Sequence, residues 1–380
     1  MKFRLLILIA VFFVVLMTSL SSQNIYLLVL LSFACFLLIP FNKYWDSIAA
    51  ALIIFSLFYT IMIILKGEVK SGFTTISYLV SPVSFYRLGR YFMDMITAEK
   101  SRLRFFLFMA LAYLLNVFIL TFIDVSIVGV VNEDRVLLAH SATDDALAAT
   151  LYGLMASVGI GCFGGVMGKN IRFTTRVAYV LLVLTSIFSV VHLVNRTGLV
   201  VSLVCIFVTL CYRENFKFNK IILYVLLCAI IGVGLFFSEV IDPDIIDAYQ
   251  KRELDTTMGL TTAGGRTELW FKALGDLIVS PLGWEQEGYA HNMWLDMARV
   301  SGWFALVPFL IATFIYLSQL CKLVRMNFSN VAQILISMNL SMFLAAFVEP
   351  VIEGSILFFS ILMFIWGITS NICRQEQISR

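Results

Sequence analysis

Residues 222–237 and 355–371 each run without one charged side chain, and this pattern limits the chain to very few architectures. A helix needs about twenty mostly apolar residues to cross bilayer hydrocarbon. Within that hydrocarbon only a helix or a closed barrel satisfies its own backbone hydrogen bonds. Barrel strands alternate polar and apolar side chains over about ten residues. These runs are continuous and longer, so helices are expected. Composition agrees: 61% of the 380 residues are hydrophobic and 13% charged, where soluble domains carry about 25% charge. The reading is an all-α, polytopic membrane protein of about twelve transmembrane helices, forming one integral membrane domain over residues 1–380.

The spans are expected at 4–20, 24–40, 46–65, 73–89, 105–124, 146–167, 177–194, 198–212, 221–238, 296–320, 331–348 and 355–372. The first follows Lys2 and Arg4 but lacks a small-x-small cleavage site, so it reads as a retained helix rather than a signal peptide. The fourth is the weakest, because Pro82, Arg87 and Arg90 crowd its end. With the N-terminus in the cytoplasm, eighteen of the twenty-seven basic residues fall in the even-numbered connections or at the two termini. That bias is the positive-inside rule, and it places both termini in the cytoplasm. Cys35, Cys162, Cys205 and Cys228 lie inside apolar runs with no paired or metal-like spacing, which suits inert buried thiols. The net charge of +3 follows topology and implies no nucleic-acid partner.

On the opposite side two connections are long, 124–145 and 239–295. The second, between the ninth and tenth spans, is the one soluble stretch large enough to fold over something, and loops beyond about 15 residues usually have a task or are disordered. Within it, Gly264-Gly265-Arg266 opens an amphipathic segment whose apolar positions 270, 274, 277 and 278 share a helical face. Such a helix would lie along the membrane surface and stop before Pro281. Its free N–H groups beside Arg266 could hold an anion.

Then comes Ala290-His291-Asn292-Met293-Trp294-Leu295-Asp296, running into the tenth span past Arg299 and Gly302. Pro281-Leu282-Gly283 reverses the chain between Arg266 and His291 and could bring them together. Arg299 lies about two turns beyond His291, turned to the bundle or snorkelling outward. A third polar stretch, Asn195-Arg196-Thr197-Gly198, forms the short link after the seventh span, with His192 one turn inside it. A headgroup phosphate or a ligand phosphate would each satisfy Arg196.

Other signals carry less. Gly159-Ile160-Gly161-Cys162-Phe163-Gly164 matches a dinucleotide fingerprint, yet it lies inside a span and follows no strand, so close helix packing explains it. Asp242-Pro243-Asp244 reads as an acidic turn after a span, and Asp144-Asp145 as the end of a loop.

The order of the Asn-Arg-Thr turn, the Gly-Gly-Arg helix and the His-Asn-x-x-Leu-Asp motif followed by Gly302 resembles the O-antigen polymerase and ligase superfamily. That superfamily comprises Wzy-type polysaccharide polymerases and WaaL-type lipopolysaccharide ligases. The resemblance spans about residues 120–320. It implies a GT-C-like membrane fold and a metal-independent, inverting glycosyl transfer, with no cofactor, at the periplasmic face of the inner membrane. The donor would be an undecaprenyl-diphosphate-linked oligosaccharide, and membrane lipid and a chain-length regulator protein would be partners. By position, Arg196 and Arg266 would clamp the diphosphate and His291 would assist the acceptor hydroxyl. Arg135, in an outer loop where the family often has a basic residue, would contact substrate, as would Asn292, Arg299 and His140.

The chemistry fits that assignment. Outside the cytoplasm there is no nucleotide sugar, so a donor must carry its own leaving group. Departure of a lipid diphosphate builds negative charge that planar guanidinium groups match, and imidazole is the natural base near neutral pH. The spacing from Arg266 to His291 is shorter than in ligases, which favours a polymerase over a ligase. A lipid-linked oligosaccharide flippase is the alternative from another class, along with a non-catalytic assembly or length-regulating protein. Transporters usually place ionisable residues near the midplane, and these spans are expected to hold almost none.

Overall fold

The computed structural model describes residues 25–40, 42–130, 132, 149–168, 171–213, 246–247, 249–251, 265–285, 289–326 and 329–379. Among them the chain is helical throughout: α1 (Ile25–Leu38), α2 (Ser47–Lys66), α3 (Gly72–Met95), α4 (Glu99–Val128), α5 (Ala149–Gly161), α6 (Phe163–Val166), α7 (Phe173–His192), α8 (Arg196–Arg213), α9 (Arg266–Val279), α10 (Met293–Met326), α11 (Asn330–Val348), α12 (Val351–Gly354) and α13 (Ile356–Ser379). Six of these, α2, α4, α7, α10, α11 and α13, are long and apolar enough to cross a membrane. Three shorter apolar stretches, Ile25–Leu38, Tyr152–Val166 and Arg196–Tyr212, stand beside them. This is the make-up of a multi-pass membrane protein. Ten expected spans coincide with helices; those at 4–20 and 221–238 lie outside the described residues, as do Cys228, the Asp242-Pro243-Asp244 turn and Asp144-Asp145.

The chain divides into two compact units. The first comprises Met1–Arg104, Arg266–Asn327 and Phe343–Arg380. Its central element is α13, whose apolar window is wholly buried. Close approach to α3 explains why small residues sit where the two helices meet: a side chain at Gly89 would collide with the Phe364 carbonyl, and one at Gly367 with the Tyr86 carbonyl. Tyr316 of α10 stacks on Trp366 of α13 with centroids 4.3 Å apart. Arg87 and Arg90, expected in the cytoplasmic connection, instead belong to α3 and are buried. Arg87 donates to the Ile39 carbonyl at 2.8 Å and Arg90 pairs with Asp46, so each cation meets an acceptor that α3's apolar neighbours could not supply.

The second unit comprises Phe105–Gly265 and Phe328–Met342. Here the glycine cluster packs helices, as expected. A side chain at Gly161 would press on Cys205 and Ser337 at 2.8 Å, and one at Gly159 on Leu114 at 2.7 Å. Helix α7 is the least enclosed of the spans, with 28% of its apolar window buried.

Candidate functional site

In the first unit the returning end of the large connection folds onto the start of α10. Helix α9 buries Ala273 and Leu277 and leaves Phe271, Leu274 and Ile278 exposed. Within the expected stripe of 270, 274, 277 and 278, Leu277 is buried while Leu274 and Ile278 are exposed. The helix packs against α10, and 274 and 278 are exposed with Phe271. Beyond α9, the turn at 281–283 seats in a break of α10. Gly302 adopts φ 55 and ψ −147, the Trp303 amide donates to the Pro281 carbonyl at 3.0 Å, and the Trp284 amide donates to the Arg299 carbonyl at 3.0 Å. Any side chain at Gly302 would collide with the Pro281 carbonyl, so only glycine allows this seat. The same Arg299 carbonyl also accepts from Lys66 at 3.1 Å.

That seat returns the chain to His291. Asn292 caps α10: its Oδ1 accepts from the Trp294 amide at 3.1 Å and from the Leu295 amide at 3.3 Å. Its Nδ2 donates to the Phe347 carbonyl at 3.2 Å. Both ends of the Asn292 side chain thus meet the protein's own backbone. Trp270 of α9 donates to the Ala290 carbonyl at 2.8 Å, tying the two segments together. His291 itself has φ 52, a left-handed conformation that costs a non-glycine residue about 1–3 kcal/mol unless its surroundings impose it.

Glu349, at the end of α11, joins the two residues singled out from sequence. Its Oε1 accepts from Arg266 Nη2 at 2.9 Å, and its Oε2 lies 3.5 Å from His291 Nδ1. The carboxylate is 8% exposed and the imidazole 39%, so the acid is enclosed while the base faces outward. Four residues on, Glu353 makes a second such pair: Arg299 Nη2 donates to its Oε2 at 2.7 Å. Glu68 lies 3.5 Å from the other end of that guanidinium, and the Tyr289 ring lies 6.0 Å from its centre. Burial pushes the Glu353 carboxyl up to about 7, against the pull of Arg299. The expected Arg266–His291 pairing by the reversal at 281–283 is present, with Glu349 between them.

Arg196 belongs to the second unit, as the first residue of α8. The turn before it holds Val194 at φ 49, and Asn195 Oδ1 accepts from the Gly198 amide at 2.9 Å. His192 anchors this turn. Its Nδ1 bonds the Val130 carbonyl at 2.8 Å, and its Nε2 bonds Asp124 Oδ2 at 2.8 Å. Asn132 donates to the same carboxylate oxygen at 2.8 Å, and its amide donates to the His192 carbonyl at 2.9 Å. A carbonyl can only accept, so in the first of these bonds Nδ1 is the donor. Asp124 and His192 are both fully buried, in the last turns of two helices that can span a membrane, at their ends rather than their middles. Arg135 and His140 lie outside the described residues.

Glu349, Glu353, Glu68 and the Asp124–His192 pair were not singled out from sequence. A signal for the first two was present: two glutamates four apart around Pro350, on the short link between two apolar runs. Among the described residues no three His, Cys, Asp or Glu side chains converge as metal ligands do. No family model matches the chain, and no curated protein matches it.

Proposed function

We propose that this chain is a membrane glycosyltransferase that polymerises undecaprenyl-diphosphate-linked oligosaccharide units at the periplasmic face of the inner membrane, in a GT-C-like bundle of about twelve spans with both termini cytoplasmic. The observation that supports this most is the Arg266–Glu349–His291 grouping. One enclosed carboxylate bonds a phosphate-matching guanidinium and lies 3.5 Å from an imidazole that is open to a reactant.

In this reading His291 Nδ1 faces Glu349, which leaves Nε2 to take the proton of the acceptor hydroxyl. The hydroxyl oxygen attacks the donor's anomeric carbon from the side opposite the diphosphate. The bond from that carbon to the diphosphate oxygen breaks with inversion. Undecaprenyl diphosphate leaves with the electron pair, and arginine charge stabilises it as it forms. Glu349 steadies the imidazolium, which later loses its proton to water. Arg266 is the arginine of this grouping assigned to the leaving group, and Arg299, held by Glu353 and Glu68, helps to shape the acceptor side.

Two experiments test the reading. Reporter fusions after residues 140 and 250 should read periplasmic, and fusions after 100, 172, 217 and the C-terminus cytoplasmic. Purified protein given lipid-linked repeat units should lengthen them. Units passed intact onto lipid A-core would make it a ligase. The buried Asp124–His192 pair is the kind of group transporters use, so units moved across a vesicle membrane without lengthening would favour a flippase.

A further inference from the structure

Asp296 is the residue whose geometry bears most directly on His291. It is fully buried and stands one turn inside α10. Its two carboxylate oxygens are both engaged, each by a different backbone amide. Oδ1 accepts from Ala290 N at 2.7 Å and Oδ2 from Asn292 N at 2.9 Å. Those amides flank His291, the residue with φ 52. The carboxylate is thus a two-point clamp across one strained residue. Asn292 completes a reciprocal arrangement, because its side chain caps the amides of 294 and 295 while its own amide is taken by Asp296.

We propose that Asp296 is a positioning residue: it holds the His291 backbone in the left-handed conformation that presents the imidazole to the acceptor with Nδ1 toward Glu349. The inference rests on the reading of His291 as the acceptor-side base. Its physical content is specific, because a clamp needs two acceptors at two fixed places. An amide offers one acceptor oxygen and turns an N–H₂ toward the second amide. A glutamate keeps both acceptors but displaces them by one methylene. Either change frees residue 291 to relax to negative φ, which swings the ring away from Glu349.

The test uses full-length protein in detergent with three variants, Asp296→Asn, Asp296→Glu and His291→Ala. Hydrogen exchange of the peptide spanning 290–292 reads the clamp itself. Turnover on lipid-linked repeat units, with KM for the donor, reads its consequence. In Asp296→Asn the 290–292 amides should exchange at least about tenfold faster while peptides of α13 are unchanged. Its kcat should fall on the order of 10²-fold with donor KM held, and Asp296→Glu should lie between this and wild type. Unchanged exchange in Asp296→Asn overturns the clamp. Full turnover in Asp296→Asn beside a dead His291→Ala protein overturns the positioning role. Full turnover in His291→Ala overturns the base reading, and the positioning role with it, so the two failures are told apart by that variant.

Discussion

Glu349 and Arg266, eighty-three residues apart, meet through a 2.9 Å hydrogen bond at the end of α11. The same carboxylate's other oxygen lies 3.5 Å from His291, so one side chain lies between two groups assigned to opposite ends of a transfer reaction. Replacing Glu349 by Gln keeps the shape and removes the charge. Turnover should fall on the order of 10²-fold. The stability loss should stay below the roughly 3–5 kcal/mol seen when a fully buried pair is broken, because Arg266 retains 16% exposure. Ladder assays and thermal unfolding of the same preparation read both numbers. Wild-type turnover would remove Glu349 from the site.

Arg196→Lys and Arg266→Lys keep the charge and lose the planar fork. Each should cut polymer formation by roughly 10²–10³-fold with membrane abundance unchanged on a blot. Wild-type ladders from both would reassign these arginines to headgroup phosphate.

Gly302→Ala addresses the seat of the large connection. The new side chain meets both a positive φ and the Pro281 carbonyl, so about 2–3 kcal/mol should be lost. Protease should then cut near residues 281–285 at concentrations that leave wild type intact. An unchanged thermal midpoint would show that the break in α10 is not needed for the seat.

Glu353 makes a pH-dependent contribution whose sign follows from its position. Its folded-state carboxyl is raised to about 7, above the unfolded value, so the folded protein binds the proton more tightly. Stability from this group is present below the unfolded pKa near 4.3 and is lost as pH rises through about 7. Glu353→Gln has no such dependence. Between pH 5 and pH 8 the variant should therefore gain on wild type by on the order of 2 kcal/mol, read as thermal midpoints across that range. A gap that does not change with pH would contradict the assignment.

The helical segments were legible because a bilayer demands long uncharged runs, and 47–66, 356–375 and their like carry them plainly. The reversal that brings Arg266 toward His291 was legible too, since Pro281 and Gly283 mark a turn. Glu349 was not, because nothing local links it to residues 58 and 83 positions earlier; the pairing exists only once α9 and α11 are packed. Periodicity finds an apolar stripe but cannot say which edge of it faces α10, and α9 is apolar on more than one side. Arg87 and Arg90 read as loop cations because burial of an arginine depends on acceptors, Ile39's carbonyl and Asp46, supplied from α1's end and the α2 cap. The Asp124–His192 pair, 68 residues apart, escaped notice in the same way.

The most direct measurement of glycosyl transfer through His291 is a polymer ladder from purified wild-type and His291→Gln proteins given the same lipid-linked repeat units, with donor binding measured in parallel. Glutamine keeps one hydrogen bond but cannot accept a proton at useful pH. Wild type should give a lengthening ladder and His291→Gln none, with donor affinity nearly equal in the two. Unextended units from wild type, or a full-length ladder from His291→Gln, would contradict transfer through His291.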